Sequence, residues 1–401
     1  MHQKLRLITL HHQGLTNVRP FGKGSQATKR VLEHLGYIQI DTLSIIERAH
    51  HHTLWTRIPD YQPDYLYQLV RERSAFEYWF HAASYLPMIN YRFVLPQMFA
   101  IKRGESPYYV NVDAKYMHHV FDRIRIDGPL KARNFQSTTQ SSAKWWNWKP
   151  AKHALEKLFM QGDLMITGRD GMEKVYDLTE RVLPDKINTS EPSLLEFSEY
   201  LINMSVKANG FTTLKQLTHL RPGNTLRKAI NTTLQQKIEQ GSLIEYLIDG
   251  MPPIYTTQDI LDTKINRPAT NVRLLSPFDN AIIHRDRVRQ LFEFDYKLEC
   301  YTPKEKRQFG YFCLPILYKD SLVGRVDCKA HRKTGDFELI NLHLESKKIN
   351  CDSFIPHFVK VVYRFAIFND CHSIRISNVS PKKLTSTFRS ALRSIEQEYR
   401  S

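Results

Sequence analysis

The chain is poor in the features that mark secreted, membrane-spanning or nucleotide-hydrolysing proteins. Only five of its 401 residues are cysteine (Cys300, Cys313, Cys328, Cys351 and Cys371), and no two form a CxxC pair. An odd number with that spacing argues against a disulfide framework and fits reduced thiols. No apolar run approaches the roughly 20 residues that a membrane-spanning helix needs. The opening stretch, MHQKLRLITLHHQGL, lacks the apolar segment and cleavage site of a secretory signal. A cytoplasmic, nucleoid-associated protein with no membrane partner is therefore expected. The motifs GxxxxGK[ST], GxGxxG after a strand and GxSxG are all missing. Nucleotide hydrolysis, dinucleotide binding and serine-nucleophile chemistry thus have no signature here. Histidine is plentiful, with runs at His11–His12 and His50–His51–His52. Adjacent side chains point apart, whereas a metal wants ligands at i, i+4 or a Cys/His pairing. The runs read as polar surface, and neither a metal nor a cofactor is expected.

Positive charge is what the chain has in excess. Lys and Arg total 57 against 41 Asp and Glu, a net +16 with an isoelectric point near 9.5. Such an excess attracts a polyanion, and without a lipid anchor or basic amphipathic segment, nucleic acid is the partner to expect.

One local order recurs along the chain. Between 111 and 182, DAKYMHHVFDRIRIDGPLKARNF and NWKPAKHALEKLFMQG read as helices, and DLMITGRDGMEKVYDL as a two-stranded hairpin. Between 193 and 258, SLLEFSEYLINMSVKAN, FTTLKQLTHL and NTLRKAINTTLQQKIEQG precede a second short hairpin. In both copies a helix ends in QG, at Gln161–Gly162 and Gln240–Gly241, and a hairpin follows at once. Helix, turn, helix, hairpin is the order of a winged helix-turn-helix.

The first 110 residues read as a third, divergent copy. LRLITLHHQGL is its first helix, and SQATKRVLEHLG is serine-capped and closed by Gly36. The strand YIQID follows, then a helix over PDYLYQLVRERSAFEYW. Beyond Pro268, strands at 310–318, 322–329 and 336–344 form a meander beside the helix DSFIPHFVKVVYRFAIFND, and the tail is helical and basic. The expected fold is α+β: winged-helix modules at 1–110, 111–190 and 191–265, and a C-terminal β-barrel with flanking helices at 266–401.

Within YIQIDTL, alternation sets Ile38 and Ile40 on one face and Gln39 and Asp41 on the other. The polar pair is either solvated surface or a place where a water is held for chemistry. In WWNWKPAK, Lys149 and Lys152 are candidates for phosphate contact. Trp145, Trp146 and Trp148 would either fill the module's core or support that contact. The hairpin tip His331, Arg332 and Lys333 could enter a groove or simply be a solvated turn, and Arg307 in KEKRQFG suits backbone contact. His81 reads either as a packed structural histidine or as a DNA contact. The residues alone point to a tandem winged-helix nucleic-acid binder, an architecture common among transcriptional regulators.

Several segments, taken in order, shift the balance toward an enzyme. They are IQIDTLSII, EYWFHAASYLP, WWNWKPAKHALEKLF, VYDLTERVLP, LSPFDNAIIHRDR, FDYKLECYTPKEKRQFGYFCLPIL and LVGRVDCKAHRKTG. Together they resemble the winged-helix interstrand-crosslink DNA glycosylases (AlkZ/YcaQ-like) nearly end to end. The resemblance implies three winged helices and a β-barrel around a concave basic surface. It also implies monofunctional hydrolysis of N7-alkylguanine, including guanines crosslinked across the duplex. The family's signature is Gln-apolar-Gln or Gln-apolar-Asp, which here is Gln39-Ile40-Asp41. The Asp form is implied to be the broader type, taking simpler crosslinks and monoadducts, whereas Gln-Gln members serve self-resistance. The implied partner is double-stranded DNA carrying alkylated or crosslinked guanine. With three binding modules in one chain, a monomer suffices.

Overall fold

A computed structural model describes all residues except 17–19, 108, 110, 136–143, 222, 271, 346–348 and 401, and omits the side chains of 144–149 and 400. Helices α1 (His2–His12) and α2 (Gly24–Leu35) lead into strand β1 (Ile38–Gln39). Between α2 and β1 sits Gly36 with φ 83°, a left-handed conformation that costs glycine little and lets the chain turn directly into the strand. The expected serine cap is not used: Ser25 lies inside the first turn and Lys23 is the N-cap.

Helices α3 (Ala49–Trp55) and α4 (Pro63–Arg71) precede β2 (Ala75–Trp79) and β3 (Ala83–Pro87), which pair with β1 in the order β1-β3-β2. The helix expected over PDYLYQLVRERSAFEYW therefore stops at Arg71. Arg73 turns the chain at φ 57°, and AFEYW becomes a strand because β3 supplies a partner that local periodicity cannot reveal.

Next come α5 (Leu95–Lys102), α6 (Ala114–Asp127), β4 (Leu130–Lys131), α7 (Lys144–Met160), β5 (Leu164–Asp170), β6 (Glu173–Leu178) and α8 (Thr179–Val182). The three strands pair as β4-β6-β5. Helices α9 (Leu194–Asn209), α10 (Leu214–Leu217) and α11 (Asn224–Glu239) lead to β7 (Ile244–Tyr246) and β8 (Ile254–Thr256). Thr212 bridges Tyr255, so β8 lies between Thr212 and β7. The same order, first segment against third and third against second, thus occurs three times. Reciprocal capping boxes, Ser193 with Glu196 and Thr213 with Gln216, fix the starts of α9 and α10.

After α12 (Gln258–Asp262) come β9 (Val272–Leu274), α13 (Arg285–Phe292), β10 (Cys313–Tyr318), β11 (Ser321–His331), β12 (Asp336–Leu344), α14 (Cys351–Phe368), β13 (Ser373–Ser380) and α15 (Thr385–Arg400). Here the expected β-barrel is corrected. The strands form one five-stranded sheet, β13-β12-β11-β10-β9, and among the described residues it does not close. The physical reason is α14. It carries the chain from β12 to a parallel β13 and lays Phe354, Phe358, Val362 and Phe365 among Leu314, Ile316, Val326 and Leu339 of the sheet. A helix covering the apolar face does what rolling the sheet would otherwise do.

The surface reading of His50–His51–His52 is also corrected. All three lie on α3 and are buried. His51 lies 2.8 Å from the Tyr61 hydroxyl and 3.0 Å from that of Tyr67, while His52 Nε2 donates to the Leu274 carbonyl at 2.9 Å. A neutral imidazole with such partners is cheap to bury.

Two buried ion pairs lock distant segments together. Arg169, at the end of the β5 ladder, clamps Glu77 on β2 with bonds of 2.6 and 2.5 Å. Arg57, just beyond α3, clamps Asp279 at 2.7 and 2.8 Å, with both side chains fully buried.

Candidate active site

Strand β1 is pinned in register. Ile38 faces Tyr85, Gln39 faces Ser84, and the Ile40 amide donates to the Ala83 carbonyl at 2.8 Å. Ile38 and Ile40 are buried, whereas Gln39 and Asp41 are partly exposed, so the expected alternation holds along this stretch. From behind, Asn280 Nδ2 donates to the Tyr37 carbonyl at 3.0 Å. Two residues apart on an extended chain, Gln39 and Asp41 stand about 6–7 Å from each other along the strand.

The two polar groups differ in their surroundings. Gln39 Oε1 lies 3.1 Å from His81 Nε2. His81 is 7% exposed and packs edge-on against Tyr37, with centroids 4.7 Å apart. Burial, aided by the Arg221 charge, pushes the His81 imidazole down to about 3. It is therefore neutral near pH 7, and its Nε2–H tautomer donates to the amide oxygen. Asp41 Oδ2 accepts the Leu43 amide at 3.0 Å. Partial burial pushes its carboxyl above the usual range, against the opposing effect of the Leu43 and Thr42 amides. A half-desolvated carboxylate is a stronger base than an exposed one.

The start of the 299–311 loop comes within electrostatic reach of Asp41. Burial and the Asp41 charge both raise the Cys300 thiol. Next to it is Tyr301, a tyrosine 83% exposed, whose hydroxyl is raised by Cys300, by burial and by Asp41. The loop is rigid by construction. Glu299 accepts the backbone amides of Gln308, Phe309 and Gly310 at 2.9, 2.8 and 3.1 Å, and Asp327 accepts those of Tyr311 and Phe312 at 2.9 and 3.0 Å. Gly310 has φ 152°, and any Cβ there would collide with the Asp327 carboxyl. Tyr301, a large aromatic open to solvent and within electrostatic reach of Asp41, is the residue that sequence reading missed. Tyr301 and Asp41 are 260 residues apart in the chain, and nothing local marks the tyrosine.

The other candidates fall in different places. His81 faces Gln39 and not solvent. Arg307 donates from Nε to the Thr302 carbonyl at 2.8 Å and covers the Tyr311 ring at 4.7 Å. The β11–β12 tip leans on the segment after Asp41: the Ala330 amide donates to the Ile45 carbonyl at 2.9 Å, and Arg332 Nη1 to the Ser44 carbonyl at 3.2 Å. His331 Nε2 lies 3.0 Å from Glu338, and Lys333 is exposed at the turn. Lys152 is exposed on α7, within electrostatic reach of Lys174. The side chains of Lys149, Trp145, Trp146 and Trp148 lie outside the described residues. The structure thus brings His81 onto Gln39 and Arg332 onto the segment after Asp41, with Tyr301 within electrostatic reach of Asp41.

Comparison with known proteins identifies the family and the fold. The family model described as DNA glycosylase AlkZ-like matches residues 32–365, a span that includes both Gln39 and Asp41. Among solved structures, the fold is similar to that of Streptomyces sahachiroi DNA glycosylase AlkZ, with a TM-score of 0.62 at 13% identity. The match covers 94% of this chain and 99% of that one. With the family model covering most of its length, the chain belongs to the AlkZ-like DNA glycosylase family.

Proposed function

We propose that this glycosylase hydrolyses the N-glycosidic bond of N7-alkylguanine, removing monoadducts and unhooking interstrand crosslinks. The observation that carries the reading is Gln39 at the end of a pinned strand with Asp41 two residues on, both partly exposed between buried isoleucines, the amide fixed by a neutral His81 and the carboxyl partly desolvated.

N7-alkylation makes the purine cationic, so it leaves as a neutral base without an enzymic acid. As the C1′–N9 bond breaks, the sugar acquires oxocarbenium character. The Asp41 carboxylate stabilises that charge and takes a proton from the attacking water, whose oxygen bonds to C1′. Gln39 holds that water. With its carbonyl oxygen engaged by His81, the amide N–H groups remain to orient it. The products are free alkylguanine and an abasic sugar, with water as nucleophile and no lyase step.

The three recurrent strand orders support the reading of 1–110, 111–190 and 191–265 as winged helices that carry the chain, as a monomer, on the duplex of nucleoid DNA. A base tied to the opposite strand cannot swing into a deep pocket, and a site on a strand edge beside an exposed loop suits that constraint.

The test is incubation with DNA containing N7-methylguanine or a nitrogen-mustard crosslink, followed by alkali to cut at abasic sites. Wild type should cut. Asp41→Asn should lose about 100- to 10,000-fold in rate with DNA binding intact. Tight binding without cleavage by wild type would return the protein to the non-catalytic regulator reading.

A further inference from the structure

Behind Gln39 lies a small pocket that the hydrolytic scheme does not use. Its polar side is formed by His81, by His219 and Arg221 beyond α10, and by Asn280 and His284 before α13, while Phe80 and residues of α9 such as Leu201 and Met204 supply much of the apolar wall. The imidazoles follow one another, His81 to His219 at 6.0 Å and His219 to His284 at 4.8 Å between centroids.

Arg221 supplies the charge. Its guanidinium covers the Phe80 ring at 4.3 Å, and Nη1 donates to the His219 carbonyl at 3.3 Å. Nη2 is buried and has no hydrogen-bond partner among the described residues. Arg287 lies behind Asn280, donating to its carbonyl at 2.6 Å and to the Asn209 side chain, and among the described residues no carboxylate pairs with it either. The neighbouring carboxylates are already engaged, Asp279 by Arg57 and Asp286 by Lys215 and Arg289. Buried cations are normally paired. Here the Arg221 guanidinium and three imidazoles line a space with no acidic residue among the described lining, and Arg287 lies one layer behind, on Asn209 and Asn280. Burial without a counter-charge lowers the Arg221 guanidinium, and burial with nearby cations keeps His284 well below its ordinary range.

The space open to water-sized atoms is about 40 Å³. Since one water needs roughly 10–15 Å³ by that measure, the pocket admits a few oxygen atoms and no nucleobase. We propose that the pocket formed by Arg221, His219, His284 and His81 is a phosphate site, which takes the non-bridging oxygens of a DNA phosphodiester beside the lesion. The inference rests on the proposed reaction for its role. His81 belongs to both sites, so a seated phosphate sets the distance from the backbone to Gln39 and brings the adjoining sugar to the water. The neutral imidazoles donate hydrogen bonds, and Arg221 contributes the positive charge.

Binding of the full chain to an undamaged duplex, by fluorescence anisotropy across a salt series, tests the site without requiring turnover. Arg221→Gln should weaken binding about 10-fold and lower the slope of log K against log salt by about 0.9, the loss of one phosphate contact. Arg221→Lys should keep the slope. In parallel, thermal unfolding is compared in inorganic phosphate and in chloride at equal ionic strength. Wild type should gain more Tm from phosphate than Arg221→Gln does, a difference that cancels general salting effects. A changed slope without the Tm difference assigns the site to phosphodiesters alone, and the Tm difference without the slope assigns it to free phosphate. An unchanged slope together with equal Tm responses overturns the proposal, even if wild type cleaves alkylated DNA. Conversely, a wild type without glycosylase activity leaves the phosphate result standing. If Arg221→Gln fails to fold, His219→Leu should weaken duplex binding with the slope kept, since that imidazole is neutral, and should shrink the Tm gain from phosphate; unchanged affinity together with an unchanged Tm gain overturns the proposal.

Discussion

Removing the Arg57 side chain should unfold the protein more readily than any surface change, and the cost can be worked from its bonds. All five guanidinium N–H donors are used: two to Asp279 at 2.7 and 2.8 Å, and three to the Thr53 carbonyl, the Gln13 carbonyl and Gln13 Oε1 at 2.9, 2.8 and 2.9 Å. Arg57→Met keeps much of the volume but leaves a fully buried Asp279 carboxylate whose remaining support is the Ala281 amide at 2.9 Å. An uncompensated buried charge of this kind costs about 3–5 kcal/mol. The three abandoned carbonyl acceptors add to that to the extent that water cannot reach them. A loss of about 4 kcal/mol is expected, read from urea unfolding by tryptophan fluorescence at pH 7.

The double variant Arg57→Met/Asp279→Leu removes the stranded charge as well. It should recover about half of the loss, because a buried pair replaced on both sides by apolar groups is far less costly than one broken on one side. A single-variant cost below about 1 kcal/mol, or strictly additive effects in the double variant, would refute the reasoning. The same clamp steadies the 276–284 segment whose Asn280 holds the Tyr37 carbonyl. Arg57→Met should therefore also slow catalysis well below its unfolding midpoint.

Acid should destabilise the protein earlier than its carboxylates alone would dictate. Burial holds His51 and His81 down to about 3 and His52 to about 4, so the unfolded chain binds these protons first. Their contribution is complete above about pH 6.5 and is lost as pH falls toward the folded values. His52 alone should cost about 3 kcal/mol by pH 4, measured as a falling urea midpoint, and a midpoint flat from about pH 7 to 4.5 would contradict it. Catalysis should fall on acidification with an apparent pKa above that of an ordinary aspartate, since Asp41 works ionised and burial raises it; an activity that rises toward acid would assign the carboxyl a different role. Tyr301→Ala should weaken binding to lesion DNA by about 1–3 kcal/mol if the exposed ring stacks on a base or sugar, with unfolding unchanged; equal affinity for both proteins would remove Tyr301 from the site.

Local patterns carried much of the fold. The helices ending in QG, the GRDG hairpin, and the meander with its adjoining helix all formed close to where periodicity and turn residues put them, because each is set by neighbours in the chain. The polar face of YIQID was equally legible, since alternation needs only the strand itself. The segments that departed from expectation were those decided by remote partners. AFEYW left its helix for a strand because β3 lies beside it. Of the three adjacent histidines, His51 and His52 went inside onto Tyr61, Tyr67 and the Leu274 carbonyl, and His50 packs against the rings of His51 and Tyr85. The last sheet stayed open because α14 covers it.

The site divides in the same way. Sequence determined the candidate catalytic pair and the net positive charge, which depend on residue identity and on a spacing of two. Tertiary structure alone decided what stands around the pair: a buried neutral imidazole on Gln39, an exposed tyrosine within electrostatic reach of Asp41, and a guanidinium without a counter-charge in the pocket that His81 also lines. Those groups come from segments far apart in the chain, and no local rule of spacing connects them. Their protonation and reach are properties of burial and proximity, which exist only once the chain has folded.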